Sequence, residues 1–136
     1  MANVKELIRS EADGALSFGD YSLETKTKLE DFEAGGNLYK VKTFKELTKL
    51  ERDGLFVYES DPGTAVNSLK LSGDGMEFCV SGAEDAQITV GLLEDTEYEV
   101  SVGGKCIGKM KTNLGGKLSF SVELAGEGEV PVSIKA

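Results

Sequence analysis

Lys117-Leu118-Ser119-Phe120-Ser121-Val122-Glu123-Leu124 alternates polar and apolar side chains without a break. Successive side chains of a strand project to opposite faces, so this period of two puts Leu118, Phe120, Val122 and Leu124 on one surface. The same period runs through Tyr98-Glu99-Val100-Ser101-Val102 and Val130-Pro131-Val132-Ser133-Ile134. Gly103-Gly104 and Asn113-Leu114-Gly115-Gly116 punctuate these runs with residues that tolerate positive φ. The last third of the chain, Tyr98 to Ile134, therefore reads as an antiparallel meander with one buried and one wet face. Pro131 falls on the outward phase, where its missing N–H suits an edge strand.

Upstream, the same device recurs. Asp13-Gly14 lies between a first strand of mixed quality (Val4 to Glu11) and Ala15-Leu16-Ser17-Phe18, and Asp53-Gly54 precedes Leu55-Phe56-Val57-Tyr58. Asp-Gly between apolar runs is a strong local hairpin signal. Tyr21 to Lys28 and Leu38 to Thr43 are further strand candidates, separated by Gly35-Gly36-Asn37. Leu69 and Leu71, then Met76, Phe78 and Val80, then Ile88, Val90 and Leu92 continue the alternation, giving about six strands beyond Pro62-Gly63. Residues 43–52 are ambiguous, because Thr43 with Glu46 forms a capping box and Phe44, Leu47 and Leu50 keep helical spacing. The strand reading is preferred there for its agreement with the rest of the chain. The fold class expected is all-β: an antiparallel β-sandwich of hairpins, either one compact domain or two small related lobes, 1–61 and 62–136. Gly14 to Gly54 spans 40 residues and Gly75 to Gly116 spans 41, the interval that invites the two-lobe alternative.

Composition narrows the function classes. With 136 residues and 40% hydrophobic content, the chain can bury a core without metal or disulfide staples. Its formal charge of −9 repels phosphate backbones, so nucleic acid is not an expected partner. The basic residues Lys40, Lys42, Lys45, Lys49 and Arg52 are interleaved with Glu46, Glu51 and Asp53, as on a solvated face of mixed sign. The first residues lack the apolar run of a signal peptide and no segment is long enough to cross a bilayer, so a cytoplasmic location and no membrane partner are expected. Cys79 and Cys106 then read as reduced thiols, and two Cys with no His make no structural zinc site.

The lack of His also removes the usual base of Ser and Cys hydrolases. No phosphate-cradling GxGxxG or GxxxxGK[ST] run occurs, and no cofactor or metal is expected. Glu97 and Glu99 share a strand face, and Asp31, Asp61, Asp74 and Asp95 lie near turns, which leaves a carboxylate-pair glycosidase or a turn-bound calcium as alternatives. Carbohydrate binding is the better alternative. Trp being absent, sugar stacking falls to the tyrosines, of which Tyr39 and Tyr58 are the candidate ligand-binding residues and Tyr98 is assigned to the core.

Val41-Lys42-Thr43-Phe44-Lys45-Glu46, Thr48-Lys49-Leu50-Glu51-Arg52, Val57-Tyr58-Glu59-Ser60 and Met110-Lys111-Thr112-Asn113-Leu114-Gly115-Gly116-Lys117-Leu118-Ser119 carry a resemblance to a family of small proteins from clostridia and related Firmicutes, across nearly the whole chain. Members often bear the label "endosialidase", which implies cleavage of polysialic acid. The pattern from Tyr98 to Val122 also resembles β-sandwich accessory modules of bacterial glycosidases. Sialidases of that label hold the sugar carboxylate with clustered arginines, and this chain has only Arg9 and Arg52. The expectation is therefore a non-catalytic structural or protein-interaction module that self-associates or binds a protein partner through its sheet edges. A carbohydrate-binding module comes second and a glycosidase third.

Overall fold

A computed structural model gives the fold and describes residues 3–136. The chain enters through two short strands, β1 (Ile8–Ser10) and β2 (Leu16–Phe18), joined across Asp13-Gly14. β1 is shorter than the alternation of Val4 to Glu11 predicts, because Leu7 sits at φ 74° and breaks the extended backbone. Residues 21–26 form turns instead of the expected strand, with the Asp20 carboxylate accepting the Ser22 N–H at 3.0 Å. There follow β3 (Thr27–Ala34), β4 (Asn37–Phe44), β5 (Leu47–Arg52) and β6 (Leu55–Asp61) as consecutive hairpins. The ambiguous stretch 43–52 is strand, broken only by a turn at Lys45-Glu46. Local capping cues lose here because Thr43, Thr48 and Leu50 bury their side chains only when they lie on alternating strand positions.

The second half supplies seven strands: β7 (Ala65–Ser72), β8 (Gly75–Ser81), β9 (Ala86–Gly91), β10 (Glu97–Val102), β11 (Lys105–Lys111), β12 (Lys117–Val122) and β13 (Val130–Lys135). Two antiparallel sheets pack as a β-sandwich. One runs β1-β2-β7-β8-β13-β10-β11 and the other β12-β9-β6-β5-β4-β3. Each sheet takes strands from both halves of the sequence, and their inner faces share one core. The 61/62 boundary is thus a crossing between sheets, at β6 to β7, that leaves neither half with a sheet of its own.

Two expectations for the last third are corrected. It is no meander, because β12 leaves the β10–β11 hairpin to pair with β9 in the opposite sheet, and β13 returns to lie between β8 and β10. Alternation fixes which side chains face inward but not which sheet they close. Pro131 accordingly lies on an interior strand. It is accommodated because the β10 ladder ends at Val102↔Val132, and the Pro131 carbonyl accepts the N–H of Gly103 at 2.8 Å beyond it.

The centre of the core is Tyr58, whose ring meets Phe18 and Phe78 edge-on at centroid distances of 5.4 and 5.7 Å. Its hydroxyl ends in a buried polar chain. Tyr58 Oη and Ser60 Oγ each share a 2.8 Å hydrogen bond with Thr64 Oγ1. Thr48 Oγ1 donates to the Thr64 carbonyl at 2.7 Å, accepts the Thr64 N–H at 3.1 Å and meets Thr43 Oγ1 at 2.8 Å. These hydroxyls tie the β6–β7 crossing to the β4–β5 hairpin, so each polar atom buried there has a partner.

Candidate functional site

The alternation of turns sends hairpins β1–β2, β3–β4, β5–β6 and β7–β8, together with the loops β9–β10 and β11–β12, to the same end of the sandwich. A cleft of about 660 Å³ opens there, lined by Arg52, Leu55, Leu71, Leu92, Leu93 and Tyr98 among others. A second cleft of about 400 Å³ lies beside it, bounded by Ser10, Leu16, Asn37, Tyr39, Leu69 and again Arg52. Arg52 and Leu71 line both.

The position of Arg52 follows from the β5–β6 turn. Asp53 and Gly54 sit at φ 51° and 81°, the paired positive values of a two-residue hairpin turn, for which Asp-Gly is well suited. The Asp53 carboxylate accepts the Leu38 N–H at 2.9 Å and the Leu38 carbonyl accepts the Asp53 N–H at 2.7 Å, which pins the turn to β4. Arg52 stands opposite Tyr39 on one side and Leu55 on the other, so all three project from the inner face at the end of the sheet. Arg9 is held by Glu6 and Glu11, whereas the Arg52 guanidinium makes no ion pair among the described residues.

Leucines line the same cleft as this cation. Leu55 is 69% exposed, Leu93 62%, and Leu114, next to the lining Gly115, 80%. Exposed aliphatic side chains of this size gathered at one end mark an interaction surface more often than scattered ones do. On the floor, the Tyr98 hydroxyl accepts the Leu93 N–H at 3.2 Å and fixes the β9–β10 loop. Gly91 is required by close approach, since a Cβ there would lie 2.3 Å from the Phe56 carbonyl oxygen.

The carbohydrate candidates fall elsewhere. Tyr58 is wholly buried and Tyr39 only 6% exposed, so neither ring offers a face to a sugar. Both occupy the inward phase of their strands, and the sequence does not say which phase faces the core when polar residues such as Thr43 and Ser60 share it. Burial also pushes the Tyr58 hydroxyl above its ordinary pKa, so it is neutral at physiological pH. The acidic candidates do not converge. Glu97 and Glu99 lie exposed on the outer face of β10, where Glu99 accepts the Cys106 S–H at 3.3 Å. Asp95 pairs with Lys111 at 3.1 Å, and Asp74 takes the Ser72 hydroxyl at 2.8 Å. Among the described residues no three His, Cys, Asp or Glu side chains gather as a metal would need, and no helix is long and apolar enough to cross a membrane.

The basic stretch is a face of mixed sign on the outer side of β4 and β5: Lys40 reaches Glu30 at 3.3 Å, Lys45 reaches Glu24 at 2.9 Å and Lys49 reaches Glu51 at 3.6 Å. Lys42 and Arg52 make no ion pair among the described residues, and of the five only Arg52 lines the two clefts; sequence reasoning missed it as a site residue. The available signal was its place one residue before Asp53-Gly54, opposite an inward Tyr39. In comparisons with known protein families, with curated proteins and with solved structures, no match is found.

Proposed function

We propose that this chain is a non-catalytic protein-interaction module that grips its partner at the turn-lined end of the sandwich. The observation that carries this reading is Arg52, whose guanidinium makes no ion pair among the described residues and which lines two clefts, one of them with the exposed Leu55 and Leu93. A planar cation in an apolar surround favours a carboxylate bound in bidentate fashion. The partner is therefore an acidic, aliphatic protein segment. Of the residues lining the larger cleft only Arg52 and Tyr98 are ionisable, and Tyr98 is tied to the Leu93 backbone, which supports binding over acid–base chemistry.

Peptide display on the folded chain tests this. Selected peptides should combine aspartate, glutamate or a free C-terminal carboxylate with Leu, Ile or Val, and Arg52→Ala should weaken them at least about tenfold, the scale of one charge-assisted contact. Peptides without carboxylates, or binding indifferent to Arg52→Ala, would refute it. A glycan array and a reducing-sugar assay on polysialic acid, run on the same preparation, should both be blank.

A further inference from the structure

The two sheets differ in width, seven strands against six. Their edges meet on one side, where β1 contacts β3. On the other side the extra strand, β11, overhangs β12 and leaves a strand-wide position empty beside it. A groove of about 810 Å³ occupies that position, with Val102, Ile107, Val122 and Val130 as its apolar walls.

The backbone around the groove is ready for pairing. Leu92 N–H donates to the Gly116 carbonyl at 2.7 Å, and the unbroken register from Lys117↔Gly91 to Val122↔Ala86 continues that pair. Even-numbered residues of β12 therefore turn their backbone groups to β9, and those of Ser119 and Ser121 point to the open edge, Ser121 at the groove itself. On β11, Thr112 N–H donates to the Thr96 carbonyl at 2.9 Å, so by the same parity Lys109 and Lys111 present theirs outward, up to the bulge at Ile107. Neither edge is blunted by proline.

Charge separates the two edges. Asp85, Glu123, Glu127 and Glu129 line the groove against a single Lys105. β11 itself, Lys105-Cys106-Ile107-Gly108-Lys109-Met110-Lys111, carries three lysines and no acid. It is also among the most exposed strands of the molecule.

We infer that the groove is filled by β11 of a second copy, reciprocally, in a two-fold dimer. A two-fold axis along the strands sets each copy's wider sheet in line with the other's narrower one, and each overhanging β11 enters the other's empty position. β11 and β12 run in opposite directions, so the new pair is antiparallel and both sheets continue through the interface. The arrangement places Lys105 of one copy at the Glu123, Glu127 and Glu129 end of the other. Such an isologous contact closes on itself and leaves no free edge on that side. It rests on the reading of the chain as an interaction module but uses a different surface from the Arg52 clefts, so either proposal can fail alone.

Light scattering on the intact chain should give twice 14.5 kDa, with association weakened as salt rises. Lys105→Glu alone and Glu123→Lys alone, each altering both symmetric contacts, should weaken dimerisation about tenfold, and the two changes combined in one chain should restore it. Unfolding curves check that each variant is folded. Hydrogen exchange of the unmodified protein gives a readout independent of the variants: the Ser119 and Ser121 amides should be protected at high concentration and exposed on dilution. A monomer at millimolar concentration, a dimer insensitive to the single changes, or Ser119 and Ser121 amides that exchange freely at high concentration would overturn the proposal.

Discussion

Thr64→Val removes the one oxygen that two buried hydroxyls share. Thr64 Oγ1 is the shared partner of Tyr58 Oη and Ser60 Oγ, and all three residues are at most 1% exposed. Valine has nearly the same shape, and the Thr64 backbone keeps both of its bonds to Thr48 Oγ1. The Tyr58 and Ser60 hydroxyls also interact with each other, so the cost is that of their one lost shared partner, about 1–3 kcal/mol. That is a large part of the 5–15 kcal/mol typical of a whole domain. Tyr58→Phe removes a hydroxyl but leaves Thr64 with Ser60, so it should cost only about 1 kcal/mol. Combining the two substitutions takes both neighbours from Ser60 Oγ, which either single change leaves with one, and the double variant should be about 1–3 kcal/mol less stable than the sum of the singles predicts. Urea unfolding followed by circular dichroism measures all four corners of this cycle. Additive effects, or a Thr64→Val variant no less stable than Tyr58→Phe, would show that the hydroxyl chain does not hold the β6–β7 crossing.

Phe120→Ala should cost about 3–5 kcal/mol in the same assay, because the ring is buried in the core shared by the two sheets and its loss leaves a cavity. Gly91→Ala should cost about 1–3 kcal/mol, since its methyl would press on the Phe56 carbonyl and not on a movable side chain. Iodoacetamide should modify exposed Cys106 before Cys79, whose thiol is pushed up by burial and by Glu129 and so carries less thiolate; equal rates across the alkaline range would contradict this. On the acid side, hydrogen bonds from Ser17 and Arg9 hold Glu11 below its ordinary value of 4.5, and Lys40 does the same for Glu30. Folding therefore favours their ionised forms, a contribution complete above pH 4.5 and lost as pH falls through the lowered values; Glu11→Gln should flatten the acid limb of the stability profile.

The period of two and the glycine corners determined much of this protein from the sequence alone. They fixed that the chain is all-β, that Leu118, Phe120 and Val122 face inward, and that Asp13-Gly14 and Asp53-Gly54 turn hairpins, because side-chain direction and positive φ are properties of neighbouring residues. Whether β12 pairs with β11 or crosses to β9, and whether Pro131 sits on an edge or inside, depended on partners tens of residues away, and a strand's alternation is the same in either sheet. Tyr58 shows the limit most sharply: read alone it is an amphipathic ring free to bind, and only the arrival of Phe18, Phe78 and Thr64 from other strands makes it the centre of the core. Arg52 is the converse, an ordinary charge in a mixed run until the opposing sheet and six converging turns set it between two clefts.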